Sequence, residues 1–295
     1  MSIIIEGCDL AGKTTLCWKI ARELGIQHHH HNTRGPNQNV LGLAKAETPG
    51  VWDRWWPTEY VYRMAEGEPS DLNLTALWSM NLLAERHGCV YVQLEPSDEK
   101  LASRYSERGE RHPLEYVVIV NYQYQLHAPK WWDMLPWARL VNPRMLEIHR
   151  YYLHQQARVA AYPGHGVGTL QEGKVLFVGD QISVRRGVSD DKPFISVYHR
   201  ASCKILYTLL HGAGLRPSSV HICNAYSRRD TPLLDVQTYD YLKPRRVIAL
   251  GEKANARCAA LGIPVHGKLP HPSRSHSYDA DSIGQWTQTL KEMLL

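Results

Sequence analysis

The first fifteen residues constrain this chain more than any others. Ile3-Ile4-Ile5 is a continuous apolar run, short enough for one buried strand, and it feeds into Gly7-Cys8-Asp9-Leu10-Ala11-Gly12-Lys13-Thr14. Thr15 to Leu24 (TLCWKIAREL) then carries the spacing of an amphipathic helix. Strand, paired glycines, Lys-Thr and helix together make the phosphate-loop pattern GxxxxGKT. Its mechanics are simple. The glycines let the backbone curl so that successive N–H groups face one anion, Lys13 reaches the terminal phosphates, and Thr14 offers a hydroxyl to Mg²⁺. The helix N-terminus adds its positive dipole end. Gly7, Gly12, Lys13, Thr14 and Thr15 are therefore the expected nucleotide-binding residues, with ATP and Mg²⁺ as ligands.

Glu6 and Asp9 narrow this further. A carboxylate inside a phosphate loop is unfavourable unless it meets a hydroxyl or a metal, so Asp9 points to a sugar or other hydroxyl docking beside the phosphates. The wording Ile5-Glu6-Gly7-x-Asp9-x-Ala11-Gly12-Lys13-Thr14-Thr15 resembles the thymidylate kinase and deoxynucleoside kinase group. That resemblance implies that Asp9 faces the sugar of an acceptor nucleotide.

Downstream, Gly25-Ile26-Gln27 reads as a second strand opening into a polar loop. Val51-Trp52-Asp53-Arg54 reads as a strand end followed by an acid–base pair, with Asp53 suited to a Mg²⁺ shell and Arg54 to a phosphate oxygen. Kinases of the same group carry an Asp-Arg or Glu-Arg pair here, and the following Glu59 and Val61-Tyr62 look like a phage-type variant. Trp55, Trp56 and Tyr60 suit either base stacking or core packing. After a helix at 74–87 and a strand at 89–94 come Arg104, Arg108 and Arg111, which share one helical face and need anions between them. This run resembles the thymidylate kinase lid, implying that it closes over the transferring phosphoryl group. The resemblance covers roughly residues 1–130.

The chain's 295 residues suffice for two domains. Its net charge of +5 is uneven: residues 1–165 hold 17 Lys and Arg against 18 Asp and Glu, whereas 166–295 hold 17 against 11. A basic second half suits a nucleic-acid or phosphate-bearing partner. No apolar run approaches spanning length, and Met1 leads straight into the strand, so a cytoplasmic chain without a membrane partner is expected. The six cysteines lack CxxC or Cys/His ligand spacing, which argues against zinc or an iron–sulfur cluster. His28 to His31 is internal and leaves a metal site open.

Tyr162 to Gly173 holds five glycines or prolines in twelve residues and reads as a linker. Beyond it, strand–helix alternation restarts, with apolar strands at 174–178, 220–223 and 246–250, which calls for a second parallel sheet. Ligands in such sheets sit at the carboxyl ends of the strands, where Asp180, Asn224 and Gly251 stand. Val178-Gly179-Asp180, Lys192-Pro193-Phe194, Ile222-Cys223-Asn224, the stretch from Leu242-Lys243-Pro244 to Gly251, and His271-Pro272-Ser273 resemble the uracil-DNA glycosylase superfamily. The resemblance implies a base-stacking Phe194, a base-reading Asn224, and Asp180 and His271 on the active-site loops. The first loop lacks that family's Pro-Gly pair, so base binding without bond cleavage is expected.

The expected fold class is thus α/β, with two three-layer, parallel-sheet domains: a phosphate-loop kinase at 1–161, a linker at 162–173 and a glycosylase-like domain at 174–295. The expected activity is ATP-dependent phosphorylation of a deoxynucleotide, with Lys13, Asp9, Asp53, Arg54, Arg104, Arg108 and Arg111 at the reaction and Thr14 and Asp53 at the metal. Two alternatives stand beside it. One is a kinase acting on a hydroxymethylated pyrimidine within DNA held by the second domain; the other is a DNA glycosylase or DNA-binding protein whose phosphate loop senses nucleotides.

Overall fold

The structure is a computed structural model that describes residues 1–30, 42, 45–68, 70, 72–108, 112–131, 134–135, 138–181, 192–195, 201–227, 229–273 and 278–295. The chain forms two compact units. The first comprises Met1–Asn73 and His87–Ala157, and the second Leu74–Arg86 and Arg158–Leu295.

In the first unit five parallel strands, β1 (Ser2–Glu6), β2 (His28–His30), β3 (Gly50–Asp53), β4 (Val90–Gln93) and β5 (Arg139–Val141), stand in the order β2-β3-β1-β4-β5. The central β1 is buried along its whole length, which is why it reads as an unbroken apolar run rather than an alternation. Its pleat still sorts side chains. Ile3 and Ile5 pack with Cys17 and Ile20 of α1 (Lys13–Leu24) and with Ile148 and Tyr152 of a later helix, Met145–Ala161. Glu6 lies on the opposite face, against α2 (Trp56–Ala65) and α5 (Leu114–Trp131). Helices on both faces of a parallel sheet make the expected three layers.

Gly25 caps α1 in a left-handed conformation (φ 64°), and the chain straightens only at His28. The second strand therefore begins one residue beyond the expected Gly25–Gln27. The arginine-bearing helix is α4 (Asp98–Arg108); Arg111 lies outside the described residues.

The helix α3 (Leu74–Arg86) lies between segments of the first unit in the chain but belongs to the second unit, where Trp78 stacks on Tyr207 with ring centroids 5.5 Å apart. It is buried on nearly every side, as its apolar content requires. The segment read as a linker is also part of this unit. Val167–Gly168 (β6) pairs antiparallel with β8 (Val220–Tyr226), and Tyr162 is buried, its hydroxyl 2.8 Å from His221 Nε2. Gly166 and Gly168 serve close approach: a Cβ on either would collide with a carbonyl oxygen of β8, that of Ile222 or Val220.

The second sheet runs β10-β9-β7-β8-β6, where β7 is Val175–Gln181, β9 Arg246–Leu250 and β10 Gly267–Leu269. Apart from β6 its strands are parallel, so one edge departs from the all-parallel expectation. Leu242, the first residue of the stretch running to Gly251, ends a short helix, α8 (Val236–Leu242), and Lys243 caps it at φ 41°. Leu176 and Val178 share a core with Ala254 and Cys258 of α9 (Glu252–Ala260). Among the described residues no helix is long and apolar enough to cross a membrane. All six cysteines are free and buried, consistent with packing roles.

Candidate active site

The phosphate loop joins β1 to α1 through backbone that only particular residues tolerate. Gly7 has φ 144° and Gly12 φ 93°, and a Cβ on Gly7 would meet the Leu94 carbonyl oxygen at 2.7 Å. Gly12 caps α1, whose first turn carries neither an acidic residue nor a side-chain cap. Its leading N–H groups are thus left for an anion. Lys13 is buried, and its Nζ folds back onto the Cys8 carbonyl oxygen at 2.6 Å.

Five sequence-selected side chains, Asp9, Thr14, Asp53, Arg54 and Arg104, converge around this loop. Thr14 Oγ1 donates to Asp53 Oδ2 at 2.9 Å, and Asp53 is 1% exposed. Paired hard oxygen donors of this kind fit Mg²⁺. Arg54 Nη2 donates to Asp9 Oδ1 at 2.6 Å. Arg104 Nη1 donates to the Leu10 carbonyl oxygen at 2.5 Å, and a Cβ on Gly12 would stand 3.3 Å from the same nitrogen. The helix bearing Arg104 therefore rests on the loop, a long-range contact that sequence spacing alone does not reveal.

Two cavities flank the loop. One, about 710 Å³, is lined by Thr15, Lys19, Lys100, Arg104 and Arg108 among others. The other, about 150 Å³, is lined by Asp9, Lys13, Thr14, Asp53, Arg54 and Arg108. Arg108 borders both.

Electrostatics tie the smaller cavity together. Burial alone would raise the Asp9 pKa, but Lys13, Arg54 and a hydrogen bond from Tyr62 outweigh it, so the carboxyl stays below its ordinary value and ionised. Burial pushes the Lys13 ammonium below its ordinary value, and the nearby Arg54 charge adds to this. Burial works against the Arg54 charge too, yet Tyr62 and Asp9 hold its pKa above the ordinary value. Arg54 also has φ 79°, a strained conformation for an arginine. Strain of this size, about 1–3 kcal/mol, persists where surrounding contacts over-determine it. Here the Arg54 N–H bonds the Ile5 carbonyl at 2.9 Å, and its own carbonyl accepts from Lys45 Nζ at 2.8 Å.

Beneath the loop lies a network that sequence reading missed. Glu6, fully buried, accepts from the Trp55 N–H and the Thr58 hydroxyl, and from Tyr124 Oη at 2.8 Å. Burial raises the Glu6 pKa, and burial lowers that of nearby Lys45 to about 8. Glu6 stood in the motif, but Thr58, Tyr124 and Lys45 carry no local signal linking them to it. Trp55 and Trp56 are core residues, 1% and 4% exposed, with Trp55 Nε1 bonded to the Gly42 carbonyl at 2.9 Å. They are not open to a base.

In the second unit Asn224, Phe194 and His271 come together at the carboxyl end of the sheet. The position a Gly179 Cβ would take lies 2.3 Å from Asn224 Oδ1 and 3.0 Å from the Phe194 ring. The Phe194 and His271 rings have centroids 5.8 Å apart, and Phe194 is held at φ 60°. Asn224 is buried and its Oδ1 has no hydrogen-bond partner. Asp180 faces elsewhere: its Oδ1 accepts from the Ala254 N–H at 2.8 Å, capping α9. Residues 182–191 of the first loop lie outside the described residues.

No family model matches this chain, and no curated protein matches it. Among solved structures it is similar to a deoxyadenosine kinase from M. mycoides with bound dCTP, at 15% identity and a TM-score of 0.37, over 53% of this chain and 100% of that one. The same enzyme with bound dATP gives 18% identity and a TM-score of 0.35, over 55% and 100%. A gluconokinase from Sinorhizobium meliloti 1021 gives 18% and 0.31, over 54% and 93%.

Proposed function

We propose that the first unit is an ATP-dependent phosphotransferase of the thymidylate kinase type acting on a deoxynucleotide, and that the second unit is a base- or DNA-binding module. The observation that carries the first part is the meeting of Lys13, Thr14–Asp53, Asp9–Arg54 and Arg104 around one phosphate loop. Phosphoryl transfer asks a protein mainly for positioning and for charge stabilisation, and this set supplies both.

In this reading Lys13 leaves the Cys8 carbonyl for the β/γ-phosphates. Arg104 and Arg108 hold the transferred group from the side of α4, with Arg111 following on the same run. Thr14 and Asp53 would hold Mg²⁺, which when bound would neutralise charge on the phosphate oxygens. Asp9, kept ionised by its neighbours, orients the acceptor hydroxyl, and Arg54 both fixes Asp9 and meets acceptor phosphate. Closure of α4 is testable: with a bisubstrate analogue and Mg²⁺, amides at 104–108 should gain hydrogen-exchange protection. Unchanged exchange there would remove the lid role.

A second reading changes only the acceptor, to a hydroxymethylated pyrimidine in DNA. It is favoured by the buried, unpaired Asn224 Oδ1 beside the Phe194 ring, an arrangement able to read one edge of a base and stack on its face. The decisive experiment offers labelled ATP to the full chain with free deoxynucleotides and with duplexes containing normal or hydroxymethylated bases. Labelled nucleotide supports the first reading, labelled DNA the second, and no label in either overturns both.

Base binding by the second unit has its own test. Phe194→Ala should weaken binding of a single-stranded oligonucleotide by roughly 5–150-fold, since one stacked base contributes about 1–3 kcal/mol, and Asn224→Ala should weaken it too by removing an edge-reading acceptor. Asp180→Ala should leave that binding intact and lower thermal stability by the ~1 kcal/mol of a lost helix cap. Release of free uracil from a uracil-containing strand, abolished by Asp180→Ala, would instead promote the glycosylase reading.

A further inference from the structure

Cys17, His28 and Asp53 are far apart in sequence, on α1, at the start of β2 and at the end of β3. The fold brings one donor atom of each within 4.8 Å of the others. This follows from the parallel pairing of β2 on β3, which sets His28 beside Val51 and His30 beside Asp53, with α1 packed across both strands. We propose that these three side chains form a binding site for a thiophilic divalent cation of the Zn²⁺ class, separate from the Thr14 side of Asp53.

Three observations point to a cation. Asp53 Oδ1 is buried without a hydrogen-bond partner, with Arg54 Nε 4.0 Å away. His28 Nε2 is likewise buried without a hydrogen-bond partner. A buried carboxylate oxygen left so is costly, and a metal removes the cost for both groups at once. His30 Nδ1, at 3.2 Å, and Thr14 engage the other oxygen, Oδ2, and hold the carboxylate in place. Metal-bound carboxylates characteristically have such orienting partners.

The donor set selects the ion. One sulfur, one imidazole nitrogen and one carboxylate oxygen suit Zn²⁺ or Co²⁺, whereas Mg²⁺ takes oxygen ligands in a near-octahedral shell. Zn²⁺ sits about 2.0–2.3 Å from such donors, so they must draw together by roughly 1 Å, within reach of side-chain rotation. Binding forms the metal–sulfur bond, and the Cys17 thiol proton passes to solvent. Three protein ligands leave a fourth, open position. Because Asp53 serves both sites, a bound thiophilic ion would compete with Mg²⁺ for that carboxylate, a consequence that rests on the phosphotransfer reading.

The test is Co²⁺ titration of the chelator-treated full-length chain, followed by absorption. The expected result is one equivalent bound, with a near-ultraviolet sulfur-to-cobalt charge-transfer band that Cys17→Ser abolishes and Cys258→Ser retains. His28→Gln, at a half-buried position less prone to misfolding, should keep the band but weaken Co²⁺ binding at least ~10-fold, with Zn²⁺ competing in the wild type. Absence of the band in the wild type, its survival in Cys17→Ser, or unchanged affinity in His28→Gln would overturn the site. None of these outcomes bears on whether label passes from ATP to an acceptor, so the two proposals fail separately.

Discussion

Lys13→Ala should lower phosphoryl transfer by about 10²–10³-fold, the usual effect of losing one preorganised charge at a reacting centre. Among the described residues Lys13 is the cation rooted within the loop itself, and its ammonium is held near the anion site by the Cys8 carbonyl at 2.6 Å. Burial and the Arg54 charge disfavour that ammonium. A bound triphosphate relieves both, so the interaction strengthens as negative charge gathers. The rate of label transfer from ATP, with circular dichroism as a control for folding, measures the effect. Transfer near the wild-type rate would make the loop a structural turn.

Glu6→Ala should destabilise the first unit by about 3 kcal/mol or more, because it takes the shared acceptor from three buried donors, at roughly 1–3 kcal/mol for each donor left unsatisfied, and removes a favourable charge near Lys45. Lys45 is 2% exposed, and the Trp55 N–H, Thr58 and Tyr124 would lose their acceptor together. Domains are commonly stable by only about 5–15 kcal/mol, so loss of soluble protein is the extreme form of this result. Glu6→Gln keeps a neutral acceptor and isolates the charge. Burial raises the folded-state pKa of Glu6 above its ordinary value, so the folded chain binds that proton more tightly than the unfolded one. The associated stability is complete below the ordinary carboxylate range and is lost as pH rises through the folded value. Lys45 runs oppositely: its pKa is lowered to about 8, so its contribution is present above the ordinary lysine value and is lost as pH falls through about 8. The urea midpoint of the wild type relative to that of Glu6→Gln should therefore be highest at acid pH and fall as pH rises above the ordinary carboxylate range. Identical profiles would mean that Glu6 does not titrate with folding.

The phosphate loop was legible because everything that defines it is local. Two glycines, a lysine, a threonine and the flanking apolar run lie within fifteen contiguous residues, and covalent geometry carries the spacing straight into shape. The same holds for Asp53-Arg54 at a strand end, and for β7, β8 and β9, whose apolar runs mark buried parallel strands.

Other features depend on which distant segments meet. Helix Leu74–Arg86 sits between kinase-like motifs in the chain, yet its apolar surface is buried in the second unit, a choice that side-chain packing makes and periodicity cannot express. The 162–173 segment has a linker's composition, but Gly166 and Gly168 sit close against the backbone of β8. Asp180 stands at a strand end, as a ligand-facing carboxylate would, and the fold aims it instead at the N-terminus of α9. The cysteines showed no ligand spacing because Cys17 lies on α1 and the donors that meet it come from two strands, β2 and β3. Motif chemistry follows from neighbours along the chain, and the sequence by itself determined it. Partners brought together by sheet register and helix docking arise from the cooperative burial of many side chains, and only the tertiary structure decided them.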